Sequence, residues 1–201
     1  MQTDPHADLS RGGIYTTSTL YLDTEDLDVF HRRGSHGRHK YRVRRYDNGT
    51  LFLERKSKRG TAVKKRRTRI SSSELGLLGR PSESFAWDGY WFLRRVRART
   101  LKPVCQINYE RAAFSSLDSG NPIRLTLDRQ VSCRSTLDFT FEKQVPVPVL
   151  AGQAILELKY MGNLPGLFEE LIYSLALGPQ PVSKYRLSLR TLNALPGTVV
   201  R

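Results

Sequence analysis

Apolar and polar residues alternate along much of this chain with the two-residue period of strands, whose successive side chains face opposite sides of a sheet. From Lys40 to Tyr46, Lys40, Arg42 and Arg44 share one parity and Tyr41 and Val43 the other. The next run, Leu51 to Lys58, sets Glu54, Lys56 and Lys58 against Leu51 and Leu53, and Val63 to Ile70 puts Lys65, Arg67 and Arg69 in one row. Asp47-Asn48-Gly49 and Arg59-Gly60 separate these runs at hairpin spacing, which predicts an antiparallel meander. Ahead of it, the β-branched and aromatic run Tyr15 to Leu22 predicts a strand. Thr24 then predicts the cap of a short helix with Glu25, Asp26 and Asp28 in its first turn, ending within Arg33 to Gly37.

Ser71 to Leu78 and Asp88 to Arg99 have helical patterns, with Pro81 between them. Strands resume at Val104 to Phe114, Ile123 to Val131, Thr136 to Phe141 and Ala154 to Tyr160, with turn chemistry at Ser119-Gly120-Asn121-Pro122 and at Pro146 to Pro148. The strand total reaches about eight. Leu167, Leu171, Ile172 and Leu175 recur at helical spacing before Gly178-Pro179, and a last helix is expected from Ser183 to Leu192. Residues 1–13 are polar and carry Pro5, Gly12 and Gly13, so they read as a frayed tail. That leaves one domain over residues 14–195 and a short tail at 196–201, a size that suits a single core.

The later strands repeat the charged row. Tyr109 and Arg111 share one parity, Arg124, Thr126 and Asp128 oppose Leu125 and Leu127, and Glu157 and Lys159 oppose Leu156 and Leu158. In a single strand this is the pattern of a sheet with one solvated face. Repeated over six strands, with Arg and Lys dominating and acids recurring as Glu-x-Lys, it points to a ligand. The 201 residues hold 33 Lys and Arg against 19 Asp and Glu, a net charge of +14, so the partner is an anion. Charge alone does not choose among nucleic acid, an acidic membrane surface and a phosphorylated small molecule. The regular parity favours an internal site and sets nucleic acid behind it.

The expected fold is therefore α+β and mainly antiparallel: a closed or nearly closed eight-stranded tunnel barrel with a charged lumen, its apolar rows covered by flanking helices. Cations facing one another across such a lumen are costly unless a polyanion neutralises them. Arginine forks suit phosphate oxygens, lysine supplies point charge, and a carboxylate among them suits Mg²⁺ or Mn²⁺ bridging phosphates. Cys105 and Cys133 stand far apart, which suits idle thiols in a reducing cytoplasm, and no apolar run approaches the roughly 20 residues of a membrane span. His31, His36 and His39 lie among Arg32, Arg33 and Arg38 without metal-ligand spacing. Trp87 and Trp91 read as core, and Arg94, Arg95, Arg97 and Arg99 as a solvated helix end, with RNA or an anionic membrane as the other reading.

At these residues the sequence resembles the VTC domain, the polyphosphate polymerase domain of the vacuolar transporter chaperone complex, within the triphosphate tunnel metalloenzyme superfamily. The likeness runs in order through Leu20-Tyr21-Leu22-Asp23-Thr24, Lys40-Tyr41-Arg42-Val43-Arg44, Phe52-Leu53-Glu54-Arg55-Lys56, Val63-Lys64-Lys65-Arg66-Arg67 and Tyr109-Glu110-Arg111. It continues through Arg124-Leu125-Thr126-Leu127-Asp128, Leu156-Glu157-Leu158-Lys159 and Ser183-Lys184-Tyr185. The resemblance implies a tunnel that takes the triphosphate of ATP, with Arg42, Arg44, Lys56, Lys65, Arg111 and Arg124 at phosphate-binding positions. Lys40, Arg67 and Lys159 join them in the same rows, and Tyr109, Ser183 and Lys184 are further phosphate contacts. Arg42, Arg44, Lys56, Lys65 and Lys184 are the expected catalytic set. Glu157 matches the family's metal-binding glutamate, while Glu54 is either a second metal ligand or a salt-bridge partner that positions Lys56.

The implied activity is transfer of the γ-phosphoryl group of ATP to a polyphosphate chain with Mn²⁺ or Mg²⁺, the partners being ATP, triphosphate or inorganic polyphosphate. Relatives carry an extra basic strand ahead of the Tyr21 segment that supplies a lysine, where residues 1–13 are polar here. A triphosphate hydrolase and a non-catalytic polyphosphate binder therefore stand as alternatives.

Overall fold

Alternation along the chain becomes one antiparallel sheet in the computed structural model, which describes residues 2–3 (backbone only), 13–60, 62–80, 86–116 and 122–193. The strands are β1 (Gln2–Thr3), β2 (Ile14–Asp23), β3 (His39–Tyr46), β4 (Leu51–Arg59), β5 (Ala62–Ile70), β6 (Lys102–Ser116), β7 (Ile123–Ser135), β8 (Val147–Pro148) and β9 (Ile155–Lys159). The helices are α1 (Asp28–His31), α2 (Ser72–Leu75), α3 (Tyr90–Ala98), α4 (Gly166–Ser174) and α5 (Lys184–Asn193). Pairing runs β5-β4-β3-β2-β6-β7, with β8 and β9 both on the far side of β7 and β1 on the end of β6. Pro81 and the expected turn at Ser119-Gly120-Asn121 lie outside the described residues.

The meander of β3, β4 and β5 falls where the turn residues put it. Four expectations are corrected. Gln2–Thr3 pairs with Phe114 and Ser115, so part of the segment expected to fray is a strand. Helix α1 begins at Asp28, four residues beyond Thr24, because the Asp23 carboxylate accepts from the backbone N–H groups of Thr24, Val29 and Phe30 and fixes a turn first. No strand forms over residues 136–141, where the Asp138 carboxylate accepts from the Thr140 N–H at 2.9 Å and folds the chain into a side-chain turn. The barrel is not closed: among the described residues no ladder joins β5 to β9. Both free edges carry cations, Lys65 and Arg67 on β5 and Lys159 on β9, whose mutual repulsion opposes an edge-to-edge join.

The outer face holds one core. Leu20, Leu22, Tyr41, Val43, Leu51, Leu53 and Ile70 pack with Phe92, Leu93 and Val96 of α3. Full burial of such side chains stabilises the fold by about 1.5–3 kcal/mol each.

The inner face changes character along its length. At one end Cys105, Ile107, Val131 and Cys133 are covered by Tyr185, Leu189 and Leu192 of α5. A bulge between Asn108 and Glu110, with Gln130 at φ 53°, resets the parity of β7, so Asp128 and Val131 both come to face inward. Beyond that bulge the inner rows are charged.

Candidate functional site

The charged inner rows and the start of α5 enclose a trough of about 840 Å³. Strand β3 contributes Lys40, Arg42 and Arg44, β4 Lys56, β5 Lys65 and Arg67, and β6 Tyr109 and Arg111. Across from them stand Arg124 of β7, Glu157 and Lys159 of β9, and Ser183 and Lys184 at the entry to α5. Every residue singled out in the sequence lines this space except Glu54. Tyr21, Tyr46, Gln180 and Val182 also line it and were not singled out.

Glu54 lies beneath the wall, 1% exposed, in register with Arg42 on one side and Arg67 on the other. Its carboxylate meets Arg42 Nε at 2.7 Å, Lys65 Nζ at 2.5 Å, Arg67 Nε at 3.4 Å and Arg44 Nη1 at 3.9 Å. Burial would raise its pKa, but Arg42, Arg44 and Lys65 outweigh that and hold it at about 2. Glu54 is thus a buried counter-ion that orients four cations, which corrects its expected pairing with Lys56 and leaves it poorly placed as a metal ligand.

Asp128 plays the same part on the opposite wall. It takes both Nε and Nη2 of Arg111, at 2.5 and 2.7 Å, and also the Lys184 ammonium. Burial raises the Asp128 pKa, yet Arg111 and Lys184 bring it below the usual carboxylate range. Lys184 Nζ lies 4.7 Å from the centre of the Tyr109 ring and the Arg111 guanidinium 5.3 Å from it, so the tyrosine face steadies both. Sequence reasoning placed Asp128 in a polar row and gave it no role; the sign reversal within Arg124-Leu125-Thr126-Leu127-Asp128 was the available signal.

Ten cationic side chains line the trough, against Glu157 at the wall and Glu54 and Asp128 beneath it. Lys40, Lys56 and Lys65 stand directly opposite one another across three strands, a like-charge register that destabilises a sheet. Burial first, and then repulsion from Lys56 and Arg42, lower the Lys40 pKa to about 8. Its ammonium donates to Ser183 Oγ at 2.9 Å.

Glu157 is the acid that faces the cavity, 43% exposed, with Lys159 Nζ 3.3 Å from Oε1. Burial raises its pKa, but Lys159, Arg111 and Lys184 outweigh that and keep it ionised. Its ladder partner Thr126 has a buried hydroxyl with no hydrogen-bond partner among the described residues. One carboxylate beside one unused hydroxyl fits Mg²⁺ or Mn²⁺, which bind through one or two carboxylates and complete their shells with phosphate oxygens and water.

The family model of the VTC domain matches residues 1–193. Comparison with curated protein sequences gives no significant match. Among solved structures, a candidate adenylate cyclase of Bacillus halodurans aligns at 14% identity and TM-score 0.49, covering 85% of this chain and 79% of that one. A candidate adenylyl cyclase of Hippeastrum, described as having a dominant triphosphatase activity, aligns at 16% identity and TM-score 0.49, covering 91% and 85%. Likeness at that level carries no argument about function.

Proposed function

This chain belongs to the VTC domain family, and on that premise we propose that it binds the triphosphate of ATP in the trough and transfers the γ-phosphoryl group to a polyphosphate chain. The observation that carries this reading is the excess of ten wall cations over three carboxylates, two of them buried as counter-ions. Such an excess, fixed in place before the ligand arrives, is complementary to a chain of phosphates and to little else of that size. Phosphoryl transfer needs alignment and charge stabilisation more than covalent chemistry. Arg42 and Arg44 on one wall, with Arg111 and Lys184 on the other, would hold the phosphoryl oxygens. Their buried partners Glu54 and Asp128 keep them from reorganising as charge develops. Glu157 with Thr126 would hold a divalent ion, whose contribution when bound is to neutralise phosphate charge. Tyr109 supports Arg111 and Lys184, and Ser183 fixes the Lys40 ammonium.

A second reading, hydrolysis of triphosphate or ATP, is favoured by the edges of β5 and β9, which no ladder joins among the described residues, so that water would have a way into the trough between them. Incubation with γ-labelled ATP and Mn²⁺, with and without a short polyphosphate primer, separates the two. Labelled chains that lengthen with primer are expected. Orthophosphate alone would replace the transferase by the hydrolase, and tight binding without turnover would reduce the protein to a binder.

A further inference from the structure

We propose that the outer face of β4 and β5 is a second polyanion track, over which a phosphate chain too long for the trough continues after crossing the β5 edge. This rests on the reading of the trough given above. Strand β5 is a free edge whose side chains from Ala62 to Arg67 are all exposed. Its cations Lys64, Lys65, Arg66 and Arg67 alternate between the outer and inner faces, so positive charge is continuous around the rim.

On the outer side Arg66 stands directly opposite Arg55 of β4, and Lys64 opposite Ser57. Ser57 in turn faces His39, whose Nδ1 lies 2.9 Å from the Ser57 hydroxyl. Burial, together with the charges of Arg99, Arg55, Arg38 and Arg95, holds the His39 pKa below its ordinary value. Outer-surface ion pairs fall elsewhere, on Arg33, Lys102, Arg129 and Arg134; among the described residues none involves Arg38, Arg55, Arg66 or Arg95. Among the described residues, the buried Nε of Arg55 has no hydrogen-bond partner.

A like-charge pair directly across a ladder destabilises the sheet, and a bound anion relieves it. The chemistry of the patch selects the anion. Arg66 lies 4.2 Å from the centre of the Trp91 ring and Arg55 5.9 Å, so this part-exposed aromatic beside the patch is engaged by guanidinium and offers no open platform for a base. Tyr41 and Phe92, neighbouring apolar side chains, are buried and so are not offered to a lipid surface. Repeated phosphate without bases or acyl chains is what remains, and the same polymer emerges from the trough over the adjacent edge.

The test compares binding of tripolyphosphate and long-chain inorganic polyphosphate to the wild type, to Arg55→Ser with Arg66→Ser, and to Arg66→Glu alone, with thermal melts as the fold control. In both variants long-chain affinity and its salt slope are expected to fall, the affinity by about tenfold, while tripolyphosphate affinity stays within about twofold. Long-chain affinity unchanged in the variants overturns the track, as does an equal loss for both ligands. So does loss of binding to single-stranded RNA or phosphatidylserine vesicles with polyphosphate unaffected. A wild type that ignores tripolyphosphate but binds long chains through Arg55 and Arg66 would refute the trough reading and uphold the track.

Discussion

Lys40 sits where burial and repulsion act in the same direction. Its pKa falls from 10.5 to about 8, so between those values the unfolded chain binds more protons than the folded one, and stability rises with pH across that window. Below pH 8 the charged ammonium costs the empty protein stability. A polyanion reverses the balance by favouring the charged form, so triphosphate binding near pH 8.5 should take up at most about three-quarters of a proton at this site. Calorimetry in two buffers of different ionisation enthalpy measures this directly. The uptake is expected in the wild type and absent in Lys40→Met; a wild type with no buffer dependence would remove Lys40 from the site. At this scale the sequence was informative, because parity put Lys40, Arg42 and Arg44 in one row and the structure keeps them together. What parity left hidden was the buried counter-ion. Asp128 meets Arg111 across β6 and β7 and Lys184 from α5, contacts separated by 17 and 56 residues that no local pattern reports.

At the scale of elements, α5 is the piece that turns a charged sheet into a site. Its Leu189 and Leu192 are buried against the inner face, Tyr185 donates to Asp23, and Lys184 reaches Asp128. These roles are separable. Lys184→Met leaves Asp128 held bidentately by Arg111 and leaves α5 held by its apolar side and Tyr185. The melting temperature should therefore drop by only a few degrees, roughly 2–4 °C per kcal/mol for a chain of this size. Triphosphate affinity should drop by about tenfold. A large loss of stability with affinity preserved would make Lys184 a structural pin instead. Helix α5, the meander and the existence of β6 and β7 as strands were readable from periodicity and turn residues. The delayed start of α1 and the broken segment at 136–141 were not, because single carboxylates, Asp23 and Asp138, compete with regular backbone bonding there.

For the molecule as a whole, the expected closed or nearly closed barrel is a curled sheet in which, among the described residues, no ladder joins β5 to β9. Alternation specifies which way side chains face but not whether the last strand meets the first, and the cations on both free edges oppose that meeting. The overall charge of +14 has a place in this architecture, with one part turned inward around the trough and another spread over the outer face of β4 and β5. The most direct test of the account is a titration of tripolyphosphate with Mn²⁺ into the wild type and into Lys56→Ala with Lys159→Ala. These side chains face the trough from opposite walls and are exposed, so the fold should survive their loss. Unchanged melting and an affinity lower by on the order of a hundredfold are expected. Equal affinity in the two proteins would place the phosphate chain outside the trough and contradict the account.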